Sequence, residues 1–474
     1  MATELSEAIL SATGASALVQ KQIDPVVHEM QRRYAPLVRV LPSVRWGSTV
    51  YNFNQRTQVA AGGAVTDGGA RPISTSTYVQ SPVTMKNYQI VGGVTGYAEA
   101  VTADLIGSLR AKEIQGASRG LMWDVETDLV WGNAASTLNG PYPHMDGLDS
   151  LVNIVGGGAP NTIAWANAAF DLGLFDQMIE LVETNSAEYP GASTKYAFVV
   201  SSTVDSRIAQ LLTNQQRFIA ADHGALTNVE VAPGLIVASY RNIPIMKSSF
   251  LNPRTNTMGT VTATTTATGG GMPASTTYKY MVSAVIARFG EILASAEVSQ
   301  ATGAGVGVNL ITLAFTPPSV TTLGQTLSPT HYKVWRTAAA GGTGTESLLG
   351  FVDANVGLQS DNITPIPTTS IVDTGVTLVP QNGSTVPATY PAAYVGTNTG
   401  FAPPATGQQN LYLLPLDPDL LIRPYVREFQ TVNVYPTTSS PDSLPFAFVD
   451  DNCLAVRDQY FLARATNALV TLAA

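Results

Sequence analysis

Four histidines, His28, His144, His223 and His331, are the side chains suited to general-base or metal-ligand work near neutral pH. They fall in unrelated segments, with no second histidine at ligand spacing. Asp124 and Asp128 stand one helical turn apart with Glu126 between them. Two carboxylates do glycosidic acid/base chemistry when they flank a cleft. On a helix the same spacing reads as a solvated or subunit-facing stripe, and that is the reading adopted. Cys453 is the only cysteine, so no intrachain disulfide or thiolate metal cluster can form, and it reads as a small core residue. The glycine-rich stretch 60–72 is followed by no Gly-Lys-Ser/Thr and opens no helix, which excludes a phosphate cradle. No Gly-x-Ser-x-Gly or His-Glu-x-x-His pattern occurs. The sequence supports no enzyme, no bound metal and no cofactor.

Composition narrows the classes further. The chain has 474 residues, enough for about three domains. Only 12 % of them are charged, against roughly 25 % in an average soluble protein. A surface so poor in charge is better suited to contact with further subunits than to an independent monomer. The net charge of −9 argues against a protein that holds nucleic acid by neutralising phosphates. There is no run of 18 apolar residues, so no membrane span is expected. The start, Met1-Ala-Thr-Glu4, lacks the basic and apolar parts of a signal peptide, so synthesis in a cytosol is expected.

The elements follow from periodicity. Residues 1–46 look helical and tail-like, with Ile23, Val26, Val27, Met30, Tyr34 and Leu37 at helical spacing and Arg32 and Arg33 on the other side. Such a helix packs on its own domain or lies on a neighbour; the pattern leaves both open. Residues 47–100 alternate as two β-like arms around a glycine-rich tip holding Gly62, Gly63, Gly68, Gly69 and Arg71. The spacing predicts a long helix from Ala103 to Trp131, stopped by Gly132-Asn133 and weakened by Gly107, Gly116 and Gly120. A helix over 168–185, a buried strand at Tyr196–Ser201, a short helix through Val204 and Leu212, and a hairpin over Val229–Met246 follow.

Residues 255–389 then change character. They hold 27 of the 53 threonines, and 10 of these 135 residues are charged. Short alternating strands around Tyr278–Ala284, Leu310–Ala314, Tyr332–Arg336, Leu348–Val352 and Ile371–Asp373 predict an inserted all-β sandwich. After Pro391 the earlier composition returns.

This order resembles the major capsid proteins of tailed bacteriophages, the Hong Kong 97-like fold. The resemblance rests on the arm, the glycine-tipped loop (Trp46–Val101), the helix ending Val125-Glu-Thr-Asp128-Leu-Val-Trp-Gly132, and the turn Asp146-Gly-Leu148. Ser201–Leu212, the strand pair around Pro233-Gly234 and Asn242-Ile-Pro244, and the stretch Phe446–Asp458 complete it. Separately, Tyr278–Ala284, Phe289-Gly-Glu291, Tyr332–Arg336 and Asp373-Thr-Gly375 resemble a fibronectin type III or immunoglobulin-like module. The resemblance implies an α+β chain with an N-terminal arm (1–46), an extended loop (47–100) and a peripheral-domain spine helix (101–135). An axial domain (136–254), the sandwich insert (255–390) and a second axial and peripheral part (391–474) would follow.

It also implies a virion capsid subunit, assembled in the host bacterial cytoplasm around double-stranded DNA that it contacts weakly. Partners would be the chain itself in hexamers and pentamers, a separate scaffolding protein, a portal and decoration proteins. The insert would be displayed outside. Gly62, Gly63, Gly68, Gly69, Arg71, Arg32, Arg33, Asp124 and Asp128 would serve assembly. Some relatives weld subunits through a loop lysine; the tip 59–80 has none, so non-covalent contacts are expected. Rival readings are an encapsulin-type nanocompartment shell and, from another class, an immunoglobulin-like surface adhesin.

Overall fold

The computed structural model describes residues 33–470 apart from 68, 70–73, 107, 135–143, 155–160, 166–167, 191–194, 217–225, 233–234, 323–324, 360–364, 376, 383–402, 433 and 436–441. The expected arm helix over Ile23–Met30 and the turn Pro233-Gly234 lie outside the described residues, as do Gly68, Arg71 and Arg32 and the insert's exit near Pro391. The architecture is α+β, with few helices and many strands. By contacts the chain forms two units. Among the described residues, one holds 90–119 and 431–448 and the other holds the rest.

A mixed seven-stranded sheet organises the larger unit. Its order is Thr162–Ala164, Ala463–Leu469, Gln408–Pro415, Tyr196–Val200, Ile243–Lys247, Leu235–Tyr240 and Leu226–Ala232. Successive side chains on a strand face opposite ways, and on the central strands Gln408–Pro415 and Tyr196–Val200 both faces are buried. Phe198, Val200, Leu411 and Leu413 face a core that includes Phe175, Met178, Ile179 and Val182 of the helix Gly173–Ser186. Those helix positions recur at one-turn spacing, which sets the buried stripe. Phe175 stacks on Phe198 with ring centroids 4.2 Å apart. Ala197, Val199, Tyr412 and Leu414 point the other way, onto Val125, Leu129 and Val130 of the helix Leu109–Trp131.

The Thr-rich segment forms two sheets around one core. One orders Val261–Thr266, Leu310–Phe315, Ser370–Asp373 and Leu378–Gln381. In the other, Thr277–Ile286 pairs with Gly290–Glu291, Val298–Ala301 and Pro329–Arg336, and the last pairs on with Ser347–Asp353. Tyr280, Val282, Ile311, Leu313, Val334 and Ile371 meet between them. Asp373 ties the sheets together, accepting from the Tyr280 hydroxyl at 2.8 Å and from Arg336 Nη1 at 2.7 Å. By contacts this segment groups with the body of the larger unit.

Three sequence expectations need correction. The arm is not helical through residue 46: among its described residues, 33–46, Leu37–Val40 is helical and is followed by the strand Ser43–Arg45. Leu41 precedes Pro42 and takes the extended backbone that proline imposes on its predecessor. The single helix from Ala103 to Trp131 is two, Gly96–Ile106 and Leu109–Trp131. Thr95 Oγ1 accepts the Ala98 N–H at 3.2 Å and Ser108 Oγ the Ala111 N–H at 3.1 Å, so each helix has its own N-cap. The extended loop therefore ends at Thr95, and the hairpin expected over Val229–Met246 gains a third strand, Ile243–Lys247.

Within the smaller unit, the Asp442 carboxylate accepts the Tyr97 N–H and its carbonyl the Gly96 N–H, which holds the start of the first of these helices. Glu99 accepts both the Ser108 hydroxyl and the Arg110 N–H, which fixes the step between the two.

The stop at Gly132 holds, for a steric reason. A Cβ on Gly132 would sit 2.3 Å from the Met145 carbonyl, and one on Gly147 2.3 Å from that of Asp128. The two backbones touch, with the Gly147 N–H donating to Gly132 O at 2.9 Å. Gly147→Ala should therefore cost about 1–3 kcal/mol of stability. Gly116, exposed on the same long helix with nothing within 4 Å of the place a Cβ would take, makes the contrast. Gly116→Ala should raise stability by about 1 kcal/mol. Urea midpoints of the two variants would move in opposite directions; equal midpoints would contradict the contact.

Candidate functional site

The second half of the long helix carries the carboxylates singled out by sequence, and the chain uses them internally. Asp124 receives Arg288 in a two-pronged ion pair, Nε to Oδ1 at 2.6 Å and Nη2 to Oδ2 at 2.7 Å. Arg288 lies in the turn before Gly290, with a positive φ of 56°. Its guanidinium lies over Gly120, where a Cβ would come within 3.3 Å of Nη2. A side chain at Gly120 would press on that guanidinium. Asp128 is buried and bonded to His144 Nδ1 at 2.8 Å and to the Tyr88 hydroxyl at 2.7 Å. Asp128 is thus drawn inside the fold, whereas Asp124 pairs with Arg288 and keeps its side chain 37% exposed. Periodicity along one helix could not reveal Arg288, 164 residues away.

Glu126, between them, is fully buried. Its carboxylate accepts the N–H groups of Leu37 at 3.2 Å and Val38 at 2.9 Å, which anchors the start of the short helix Leu37–Val40 in the arm. Arg33 lies with its guanidinium 5.8 Å from the Phe250 ring centroid. Gly62 and Gly63 stand exposed at the hairpin tip with nothing near them, whereas a Cβ on Gly69 would strike Val65. The tip is carried by Val50–Gln58 and Thr77–Thr84, paired antiparallel from Val50↔Thr84 onward. Among the described residues, Gly62, Gly63, Gly69 and Arg33 make no hydrogen bond to the long helix's carboxylates, whose partners include Arg288, Leu37, Val38, Tyr88 and His144.

A junction of buried charges was not read from the sequence. Asp149, in the helix Leu148–Ile154, accepts Lys333 Nζ at 2.6 Å and Arg464 Nη1 at 2.9 Å. Lys333 also lies 3.2 Å from Glu291, which pairs with Arg254 Nη2 at 2.5 Å. Arg254 reaches Asn410 at 3.1 Å and Asn467 at 3.3 Å. All five charged groups are nine-tenths or more buried. The one available signal is a lone charge inside an apolar alternation, as in Tyr332-Lys-Val334 and Ala463-Arg-Ala465. Of the histidines, His331 is buried and bonds Thr330, while His28 and His223 lie outside the described residues. Among the described residues no cluster of histidine, cysteine and carboxylate could hold a metal, and no helix is long and apolar enough to cross a membrane. Burial pushes the Cys453 thiol up to about 12.

Burial pushes Glu126 up to about 7, against the opposing pull of the Val38 and Leu37 N–H groups. Burial likewise takes Asp353 to about 7. His144 is also raised: burial lowers it, but the Asp128 charge and hydrogen bond outweigh that. Asp149 goes the other way, to about 2, because Lys333 and Arg464 overcome the cost of burying it. The signs combine. Stability from Glu126 and Asp353 is present below their unfolded values and lost as pH rises through 7. That from His144 is present below 6.5 and lost above its raised value, and that from Asp149 is lost as pH falls through 2. The fold should be most stable at mildly acidic pH. Glu126→Gln removes the charge and keeps an oxygen acceptor for one of the two N–H groups, which now reach different carboxylate oxygens. It should flatten the fall in thermal midpoint between pH 5 and 8, with a gain at pH 8 of at most about 3 kcal/mol. A variant whose pH profile overlays the parent's would contradict the role of Glu126.

Residues 35–269 match the family model described as SU10 major capsid protein. No curated protein matches in sequence. Among solved structures, the holo-SrpI encapsulin complex of Synechococcus elongatus PCC 7942 overlays at TM-score 0.44 and 10% identity, covering 97% of this chain and 96% of that one. The capsid of a native GTA particle gives 0.46 and 9%, covering 97% and 98%. The cyanophage A-1(L) capsid gives 0.46 and 10%, covering 96% and 98%. At such scores the overlays assign nothing by themselves. The family match over residues 35–269, joined to the hairpin, long helix and two-faced sheet in the expected order, supports a phage capsid-forming role for the chain.

Proposed function

We propose that the chain is the repeating subunit of an icosahedral phage head around double-stranded DNA, arranged in rings of six and five and without catalytic activity. The observation that carries this reading is the long hairpin. Its strands expose Tyr78 at 61% and Val79 at 46%, and Val59 beside the tip is 68% exposed. Apolar surface on an arm of this kind is stabilised when a neighbouring copy covers it. The glycines at the tip let the same arm bend between five-fold and six-fold settings at little steric cost. Each contact is weak, and closure of a symmetric shell multiplies it.

The net charge of −9 suits a container that repels its DNA weakly instead of gripping it. Assembly in the host cytoplasm with a separate scaffolding protein, a portal and decoration proteins belongs to the same proposal. So does outward display of the Thr-rich two-sheet segment as a fibronectin- or immunoglobulin-like insert.

Electron microscopy of the expressed chain with a candidate scaffolding protein tests the reading: closed shells tens of nanometres across are expected. Replacing residues 59–76 with a short turn should leave the circular dichroism spectrum nearly unchanged and abolish shells. Shells that form normally without the tip would remove the hairpin from assembly, and shells filled with a co-purifying enzyme would replace the phage reading.

A further inference from the structure

A cavity of about 30 Å³ lies at the junction of buried charges. By volume it has room for about two water-sized bodies. Asp149, Arg254, Glu291, Lys333 and Arg464 all line it. Three are cations and two are carboxylates, so the lining carries one positive charge in excess. Each of the five is nine-tenths or more buried, where an uncompensated charge costs several kcal/mol. The Nε of Arg254 is buried with no hydrogen-bond partner among the described residues. The stretch 383–402, which leads into the lining residue Pro404, contains no acidic residue. Water would fill the space and leave the charge uncompensated. A dianion would reverse the excess and needs more room.

We propose that this cavity binds one small monovalent anion, chloride in solution, held between Arg254 and Lys333. The anion supplies the counter-charge that the described lining residues lack. Its site is made by residues of the Thr-rich two-sheet segment together with those of the body, so binding locks one to the other. The inference stands on the charges and the cavity and does not depend on the role of the hairpin in assembly.

The test is thermal unfolding of the full chain at constant ionic strength, with chloride replaced stepwise by gluconate, which is too large to enter. The ratio of folded to unfolded chain should rise about tenfold for each tenfold of chloride above the dissociation constant. Lys333→Met leaves two cations against two carboxylates and should abolish that dependence. Should that variant fail to fold, bromide soaked into crystals of the unaltered chain decides the matter: an anomalous peak within hydrogen-bonding reach of Arg254 is expected. A midpoint indifferent to chloride overturns the proposal, as does a cavity holding only water or a carboxylate from another copy.

Discussion

Asp149 is the point on which the rest of the larger unit turns. Its carboxylate can remain ionised and buried only if Lys333 and Arg464 both reach it. Those partners come from the Thr-rich segment and from the last strand of the central sheet. The short helix, the two-sheet segment and the C-terminal strand must therefore arrive together. Removing any one leaves a charge stranded in the interior. This explains why a segment with its own core and its own composition still groups by contacts with the body. The position of Asp149 is set in turn by Gly132 and Gly147, whose bare backbones touch and fix where the helix Leu148–Ile154 begins.

A second consequence runs through the long helix. Its last three turns meet the central sheet through Val125, Leu129 and Val130. Its polar positions are occupied as well: Glu126 holds the arm, Asp128 holds Tyr88 and His144, and Asp124 holds Arg288. One helix thus joins the arm, the start of the strand after the hairpin and the two-sheet segment to a common core. Trp131 continues the pattern, donating to Phe250 O at 2.6 Å beside Gly290, where a side chain would not fit.

What was legible in the sequence was whatever has a short period. Strands such as Tyr278–Ala284 and Tyr332–Arg336 alternate every two residues, and the helix at Gly173–Ser186 shows its stripe directly. The hairpin was legible because its tip is rich in glycine and its arms are not. Capping was harder: Thr95 and Ser108 each start a helix with a single hydroxyl, which apolar spacing does not report. The junction was not legible, because Asp149, Arg254, Glu291, Lys333 and Arg464 span more than three hundred positions and share no local pattern. The same limit placed Asp128 on an outer stripe when it is buried. A helix reports its own faces, but not which of them a distant arginine will reach.

The scarcity of charge takes on a different meaning once these placements are known. Only 12 % of residues are charged, and several of those are spent inside the fold: Asp128, Asp149, Glu291, Arg254, Lys333 and Arg464 are all buried. The surface is therefore poorer in charge than composition alone suggests. In the Thr-rich segment hydroxyls take over the task of solvation, as along the exposed positions of Val261–Thr266. Elsewhere the surface includes Tyr34, Tyr78, Tyr97 and Tyr435, each more than half exposed. Tyrosine offers apolar area and a hydrogen bond at small entropic cost, which suits a face that must be wet before assembly and covered after it. Charge at such a face would have to be desolvated at every copy of the contact. A shell repeats each contact many times, so a small penalty per copy becomes a large one per particle. The chain places several of its few charges where they bind its own segments together, and among its exposed residues are groups that part from water easily.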